Sequence, residues 1–122
     1  MEDHQDGRRR LGRRGEDEAA RFLARQGFRL VERGYRALRG EIDLIARDGE
    51  TLVFIEVKTR TGPDCGPPEE AVTPAKQRQI RRIAEAFLCD RGLGSPFCRF
   101  DVVAVDAEAD GSFTIRHIPD AF

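Results

Sequence analysis

Asp43 in GEIDLIA, followed by Glu56 and Lys58 in VFIEVKTR, combines residue types and spacing that suit metal-assisted chemistry. Residues 53–57 are otherwise apolar and β-forming, and a charge buried there without a partner would cost several kcal/mol, on the scale of a small domain's whole stability. Side chains alternate across a strand, so Phe54, Glu56 and Lys58 share one face and Val53, Ile55 and Val57 the other. On the preceding strand Glu41, Asp43 and Ile45 share a face, opposite Ile42 and Leu44. If Asp48-Gly49 closes a two-residue hairpin, Arg47 pairs with Glu50, Asp43 falls opposite Phe54 and Glu41 opposite Glu56. All three acids and Lys58 then lie on a single sheet face, with Asp43 and Glu56 diagonal neighbours about 7–8 Å apart.

Carboxylates this close repel, and in an apolar setting one of them should take up a proton. A divalent cation removes the conflict. Mg²⁺ favours oxygen ligands and keeps several waters, so one or two carboxylates suffice to hold it. The Lys58 ammonium beside it would hold a water or stabilise negative charge growing on a phosphate. A metal, a water and a cation beside a polyanion describe phosphodiester hydrolysis. A lone Glu-x-Lys is more often a solvated ladder of paired charges. The addition of Asp43 on the matching face of the neighbouring strand favours a site.

The elements that would position these residues follow from periodicity and turn chemistry. A helix is expected over residues 15–26, with Ala19, Ala20, Phe22 and Leu23 as its apolar stripe and Gly27 as its stop. Strands are expected over residues 28–35, in GEIDLIA and in TLVFIEVKT, and residues 61–70, TGPDCGPPEE, read as a loop. Thr73-Pro74 is an N-cap followed by proline at the first helical position, opening a helix with Ile80, Ile83, Ala84, Phe87 and Leu88 at helical spacing. CRFDVVAVD and SFTIRHI complete the set as strands around Ala109-Asp110-Gly111. The order is α-β-β-β-α-β-β, an α/β fold. The helix between the third and fourth strands is a crossover that makes those strands parallel, so the sheet is mixed, with helices packed on it.

The 122 residues suit one domain, expected over residues 15–122, after a flexible basic segment at residues 1–14 whose first eight or so residues read as a disordered tail. No apolar run approaches the roughly 20 residues that span a bilayer. The charged start has no apolar signal region, and Cys65, Cys89 and Cys98 are odd in number and lack CxxC spacing, so a cytoplasmic protein without a disulfide framework or zinc site is expected. Net charge is −1, yet Arg8, Arg9, Arg10, Arg13 and Arg14 cluster near the start and Lys76, Arg78, Arg81 and Arg82 later. Such clusters bind phosphates without a basic average, or serve as solvated surface. His4 and His117 lie beside no Ser or Cys signature, no phosphate-loop spacing occurs, and with Tyr35 the one tyrosine and no tryptophan, a base-stacking platform would have to use phenylalanines, most of which read as core.

The stretch from Gly40 to Ile45 with Glu56 and Lys58 resembles the PD-(D/E)xK nuclease motif, with Ile42 in place of the literal proline. GEDEAARFLARQGF, RGEIDLIARDG, LVFIEVKTR, PEEAVTPAKQRQI, RFDVVAV and HIPDAF together resemble the small bacterial YraN family (UPF0102), predicted nucleases related to archaeal Holliday junction resolvases. The resemblance implies a restriction-endonuclease-like fold and a Mg²⁺- or Mn²⁺-dependent cut of DNA, with Asp43 and Glu56 holding the metal and Lys58 acting at the attacking water. It also implies that Glu16 joins the metal site, since a helix glutamate does so in the related resolvases. On its own Glu16 reads equally as a first-turn acid facing the helix dipole. Lys76 and Gln77, on the extension of the second helix's stripe, would help position water or phosphate, or simply form a polar helix start. Arg78 and Arg82, four apart on another face, and Arg60, just past the strand, are candidate phosphate contacts. Recognition of phosphate geometry rather than base sequence is expected. A symmetric branched substrate such as a four-way junction would favour a homodimer. Two other readings stand beside this one: a non-catalytic nucleic-acid-binding module of the same fold, and a protein-interaction adaptor using an exposed sheet edge.

Overall fold

The computed structural model describes residues 4–62 and 66–122. The beginning of the expected tail, and Cys65 in the expected loop, lie outside the described residues. Two helices, a short 3-10 turn and five strands follow in the expected order: α1 (His4–Arg25), β1 (Arg29–Ala37), β2 (Gly40–Asp48), β3 (Thr51–Thr61), the 3-10 turn (Pro68–Ala71), α2 (Pro74–Asp90), β4 (Cys98–Ala107) and β5 (Phe113–Ile118). The strands form one sheet in sequence order. β3 and β4 are parallel, as the α2 crossover requires, and the other three pairings are antiparallel.

Each helix covers one face of the sheet, because β3 and β4 are apolar on both. Ala19 and Leu23 of α1 pack with Leu44, Ala46, Val53, Ile55, Val103 and Val105. Ile80, Ile83, Ala84 and Phe87 of α2 pack with Ile42, Ile45, Leu52, Phe54, Phe100 and Val102 on the other side. Thr73 caps α2 through a hydrogen bond from the Lys76 N–H, with Pro74 opening the helix. Phe54 stacks on Phe100 and Phe100 on Phe122, and the Arg81 guanidinium lies 4.6 Å over the Phe100 ring, so the chain's last residues seal the α2 side.

Three expectations need correction. α1 begins at His4, not at residue 15, so the run from Arg8 to Arg14 lies on helical backbone. The helix does end where Gly27 was expected to stop it, with Gly27 at φ 95 and the Phe28 N–H returning to the Leu23 carbonyl. The hairpin turns on Gly49-Glu50 rather than Asp48-Gly49: Asp48 pairs with Thr51 and Leu44 with Ile55. Gly49, at φ 61, takes the first central position, the place a type II′ turn reserves for glycine. The register therefore differs from the expected one by two residues, and a shift of two leaves every side chain on its face.

The third correction concerns Ile42, which packs on the α2 side with Ile45 instead of facing the α1 side with Leu44. Strict alternation forbids two residues three apart from sharing a face, so β2 twists at Asp43. The pairs Arg33–Leu44 and Tyr35–Ile42 flank Gly34, which faces Asp43 across the ladder at φ 63, a conformation that only glycine adopts without strain. The twist ends the regular β2–β3 pairing at Leu44–Ile55.

Candidate active site

Past Leu44 and Ile55, β2 and β3 no longer pair through their backbones, and a side chain fills the gap. Asp43 Oδ2 accepts a hydrogen bond from the Val57 N–H at 2.8 Å. The next residue towards the turn on β3, Glu56, is one of two buried charged side chains among the described residues. It points to the α2 side, where Glu56 Oε1 lies 2.9 Å from Lys76 Nζ on the first turn of α2.

The other acids arrive from α1 and from the start of β2. One carboxylate oxygen from each of Glu16, Glu41 and Asp43 lies within 4.8 Å of the other two. Glu16 reaches this point because Gly15 lets α1 settle on β3: a Cβ at Gly15 would stand 1.9 Å from Thr59 Oγ1. Glu16 is thirteenth in α1 and not in its first turn, so the helix-dipole reading falls away. Glu41, 3.6 Å from Arg36 Nε, belongs to the cluster as well. Strand alternation had set it on the face of Asp43 and Glu56 without giving it a role.

The crowded carboxylates raise one another's proton affinity. Burial, and after it the Glu56 charge, push the Asp43 carboxyl up to about 8; Glu16 and Glu41 add to this and the Val57 N–H opposes it. Glu16 is also raised, by burial and then by Glu41, against the pull of Arg33 and a hydrogen bond with Asp43. Burial pulls Lys76 down, but the hydrogen bond and charge of Glu56 outweigh it and hold Lys76 above the usual lysine range. Hard carboxylate oxygens converging from α1 and β2 suit Mg²⁺ or Mn²⁺, which such ligands prefer over nitrogen- or sulfur-binding metals. Glu16, Glu41 and Asp43 are the residues best placed to hold one, with Glu56 adjoining through Asp43. Lys58, half-buried, follows Glu56 by two residues on β3 beside Ala104 of β4.

The pattern of the family described as Uncharacterised protein family UPF0102 matches residues 15–105, from the glycine against Thr59 through the last core residue of β4. The chain belongs to the UPF0102 family. A UPF0102 protein of Symbiobacterium thermophilum is 52% identical over 114 residues, covering 93% of this chain and 97% of its own. UPF0102 proteins of Prosthecochloris aestuarii and Geobacter sulfurreducens are 51% and 48% identical, each across 92% of this chain.

The residues expected to meet nucleic acid sort differently in this UPF0102 chain. Lys76 sits in the site, on Glu56. The Gln77 side chain donates to the Val72 carbonyl at 3.0 Å, tying the 3-10 turn to α2. Arg78 and Arg82 are exposed on α2. Arg60 is only 12% exposed: its Nε is 2.9 Å from Asp106 Oδ1 and its Nη1 donates to the Gly66 carbonyl, so it braces the end of β3. Arg116 lies 3.4 Å from the same Asp106.

A second polar cluster went unread in the sequence. Asp101, fully buried on the α1 side, accepts from Arg99 through both oxygens, at 2.9 and 3.0 Å, and from the Asp120 N–H, and lies 2.7 Å from His117 Nε2. His117 is therefore more than the strand-end residue expected. Its ring stands edge-on to Phe28 at 5.6 Å. The cluster pins the C-terminal segment to β4. Its signal was weak, because Arg99-x-Asp101 in a strand is also a common surface pair.

Proposed function

We propose that this protein is a metal-dependent endonuclease of the cytoplasm that hydrolyses phosphodiester bonds in DNA, with branched DNA as the favoured substrate. The observation that carries this reading is Asp43: a carboxylate lodged where β2 and β3 separate, bonded to the Val57 N–H and crowded by Glu16, Glu41 and Glu56, with Lys58 two residues past Glu56 on β3. A bound Mg²⁺ or Mn²⁺ would supply Lewis acidity and a more acidic water. Asp43, Glu16 and Glu41 would hold the ion, and Glu56 would join them or keep Lys76 in place. Lys58 would orient the attacking water or neutralise charge on the phosphate. The mixed sheet between two helices is the architecture that the resemblance to restriction-endonuclease-like nucleases implies.

Purified protein incubated with labelled four-way junction, flap and duplex DNA in Mg²⁺ or Mn²⁺ tests this. Cutting that vanishes in Asp43→Ala and Lys58→Ala is expected. No cutting by wild type on any substrate, or cutting that both variants retain, overturns it. The Glu56–Lys76 ion pair favours a second reading, a non-catalytic DNA-binding module, because it provides Glu56 with a cation of the protein's own. Calorimetric titration with Mn²⁺ separates the two: the nuclease reading requires heat of binding that Asp43→Ala abolishes.

A further inference from the structure

The first half of α1 carries five arginines within residues 8–14 and no acid among them, in a chain whose net charge is −1. Sequence alone leaves that run open between solvated surface and polyanion contact, and the fold adds two constraints. α1 is unbroken from His4 to Arg25, so the arginines stand at a set distance from Glu16. The helix docks from Gly15 onward: Gly15, Ala19 and Leu23 are buried, whereas Arg9, Arg10 and Arg13 are exposed. The Arg14 guanidinium lies 5.1 Å over the ring of Phe113, the first residue of β5, which places the preceding turns past the end of the sheet.

Direction is the second constraint. With 100° per residue, Arg9 lies within about 20° of Glu16 around the helix and Arg13 within about 60°. Along the axis Arg13 is about 4.5 Å and Arg9 about 10 Å from Glu16. One strand of duplex DNA carries a phosphate every 3.4 Å or so of axis, so this reach spans roughly three phosphates. Guanidinium forks suit phosphate oxygens, and both side chains are exposed on the flank from which Glu16 enters the acid cluster.

We propose that the arginine face of α1, through Arg9 and Arg13, binds the phosphate backbone of a DNA arm where it leaves the acid cluster. The direction of the arm rests on the nuclease reading; the binding itself does not. The test measures affinity for fluorescent duplex and four-way-junction DNA in EDTA, where no cutting occurs, across a salt series. Three full-length proteins are compared: wild type, R9Q/R13Q, and R25Q/R29Q, a charge-matched control at the last residue of α1 and the first of β1. Helicity by circular dichroism verifies that all three fold.

R9Q/R13Q is expected to bind at least tenfold more weakly at low salt and to lower the slope of log affinity against log salt by about 1.8, two contacts at about 0.9 each. R25Q/R29Q should match wild type. An unchanged slope in R9Q/R13Q, an equal loss in R25Q/R29Q, or wild type that binds no DNA at the lowest salt overturns the proposal. Cleavage by wild type with an unchanged slope removes the arm and keeps the nuclease. A slope lost in R9Q/R13Q with no cutting by wild type does the reverse.

Discussion

Asp43 accepts one hydrogen bond from the Val57 N–H while the carboxylates of Glu16, Glu41 and Glu56 crowd it, so its charged form is disfavoured in the folded protein. Because its carboxyl is raised to about 8 from 3.8, the native state holds a proton that the unfolded chain releases, and stability falls as pH rises through that window. Metal-free protein should thus melt at lower temperature at pH 8.5 than at pH 5.5. Asp43→Asn should flatten that decline and raise Tm at pH 8.5, since an amide oxygen can still accept from Val57. Mg²⁺ should raise Tm in wild type alone, because it binds the folded acids and not the unfolded chain. Cleavage should drop at least a hundredfold in Asp43→Asn, the upper end of the effect seen for residues that merely orient a metal ligand. The pair on the α2 side makes a separate prediction. Lys76→Ala leaves the buried Glu56 without its cation and should cost about 1–3 kcal/mol, measured by urea unfolding. Adding Glu56→Gln should recover part of that loss.

At the level of elements, the site depends on how closely α1 approaches β3. Gly15 is the contact point, and a methyl group there would overlap Thr59. Gly15→Ala should therefore lower stability by about 1–3 kcal/mol and weaken Mn²⁺ binding, since the helix that moves carries Glu16 as its next residue. Combining it with Thr59→Gly should restore Mn²⁺ affinity relative to Gly15→Ala alone, read by calorimetry. A Gly15→Ala protein with wild-type metal affinity would separate the helix contact from the site. The β2–β3 hairpin works in the same way. Its regular pairing ends at Leu44–Ile55, and the twist opposite Gly34 turns Asp43 into the gap.

Across the whole molecule, a half-buried aspartate, Asp43, and a buried one, Asp101, set opposite pH limits. Burial acts to raise Asp101, but its bonds to His117, Arg99 and the Asp120 N–H outweigh it and hold the carboxyl below the usual range. Its contribution to stability is present above the unfolded value of 3.8 and is lost as pH falls through the lower folded value. Metal-free protein should be most stable near the unfolded carboxyl value of 3.8, limited below it by Asp101 and from there up to about 8 by Asp43, and Mg²⁺ should counter the upper decline. Asp101→Asn should make the acid limb of a Tm-against-pH curve shallower and leave the alkaline limb unchanged.

Periodicity and turn chemistry were enough to read the element order and the parallel β3–β4 pair, because apolar alternation, a capped helix and a crossover leave few alternatives. The hairpin register was misread by two residues, which cost nothing in facing because the strand period is two. Two features waited on the packed chain: the early start of α1 and the capture of Glu56 by Lys76. Each depends on which polar groups meet across elements distant in sequence, and local pattern does not encode that. A long arginine-rich run reads as a tail until it is seen as a continuation of the helix anchored by Ala19 and Leu23. An acid such as Asp101 reads as surface until its burial beside Arg99 and His117 makes the pairing obligatory.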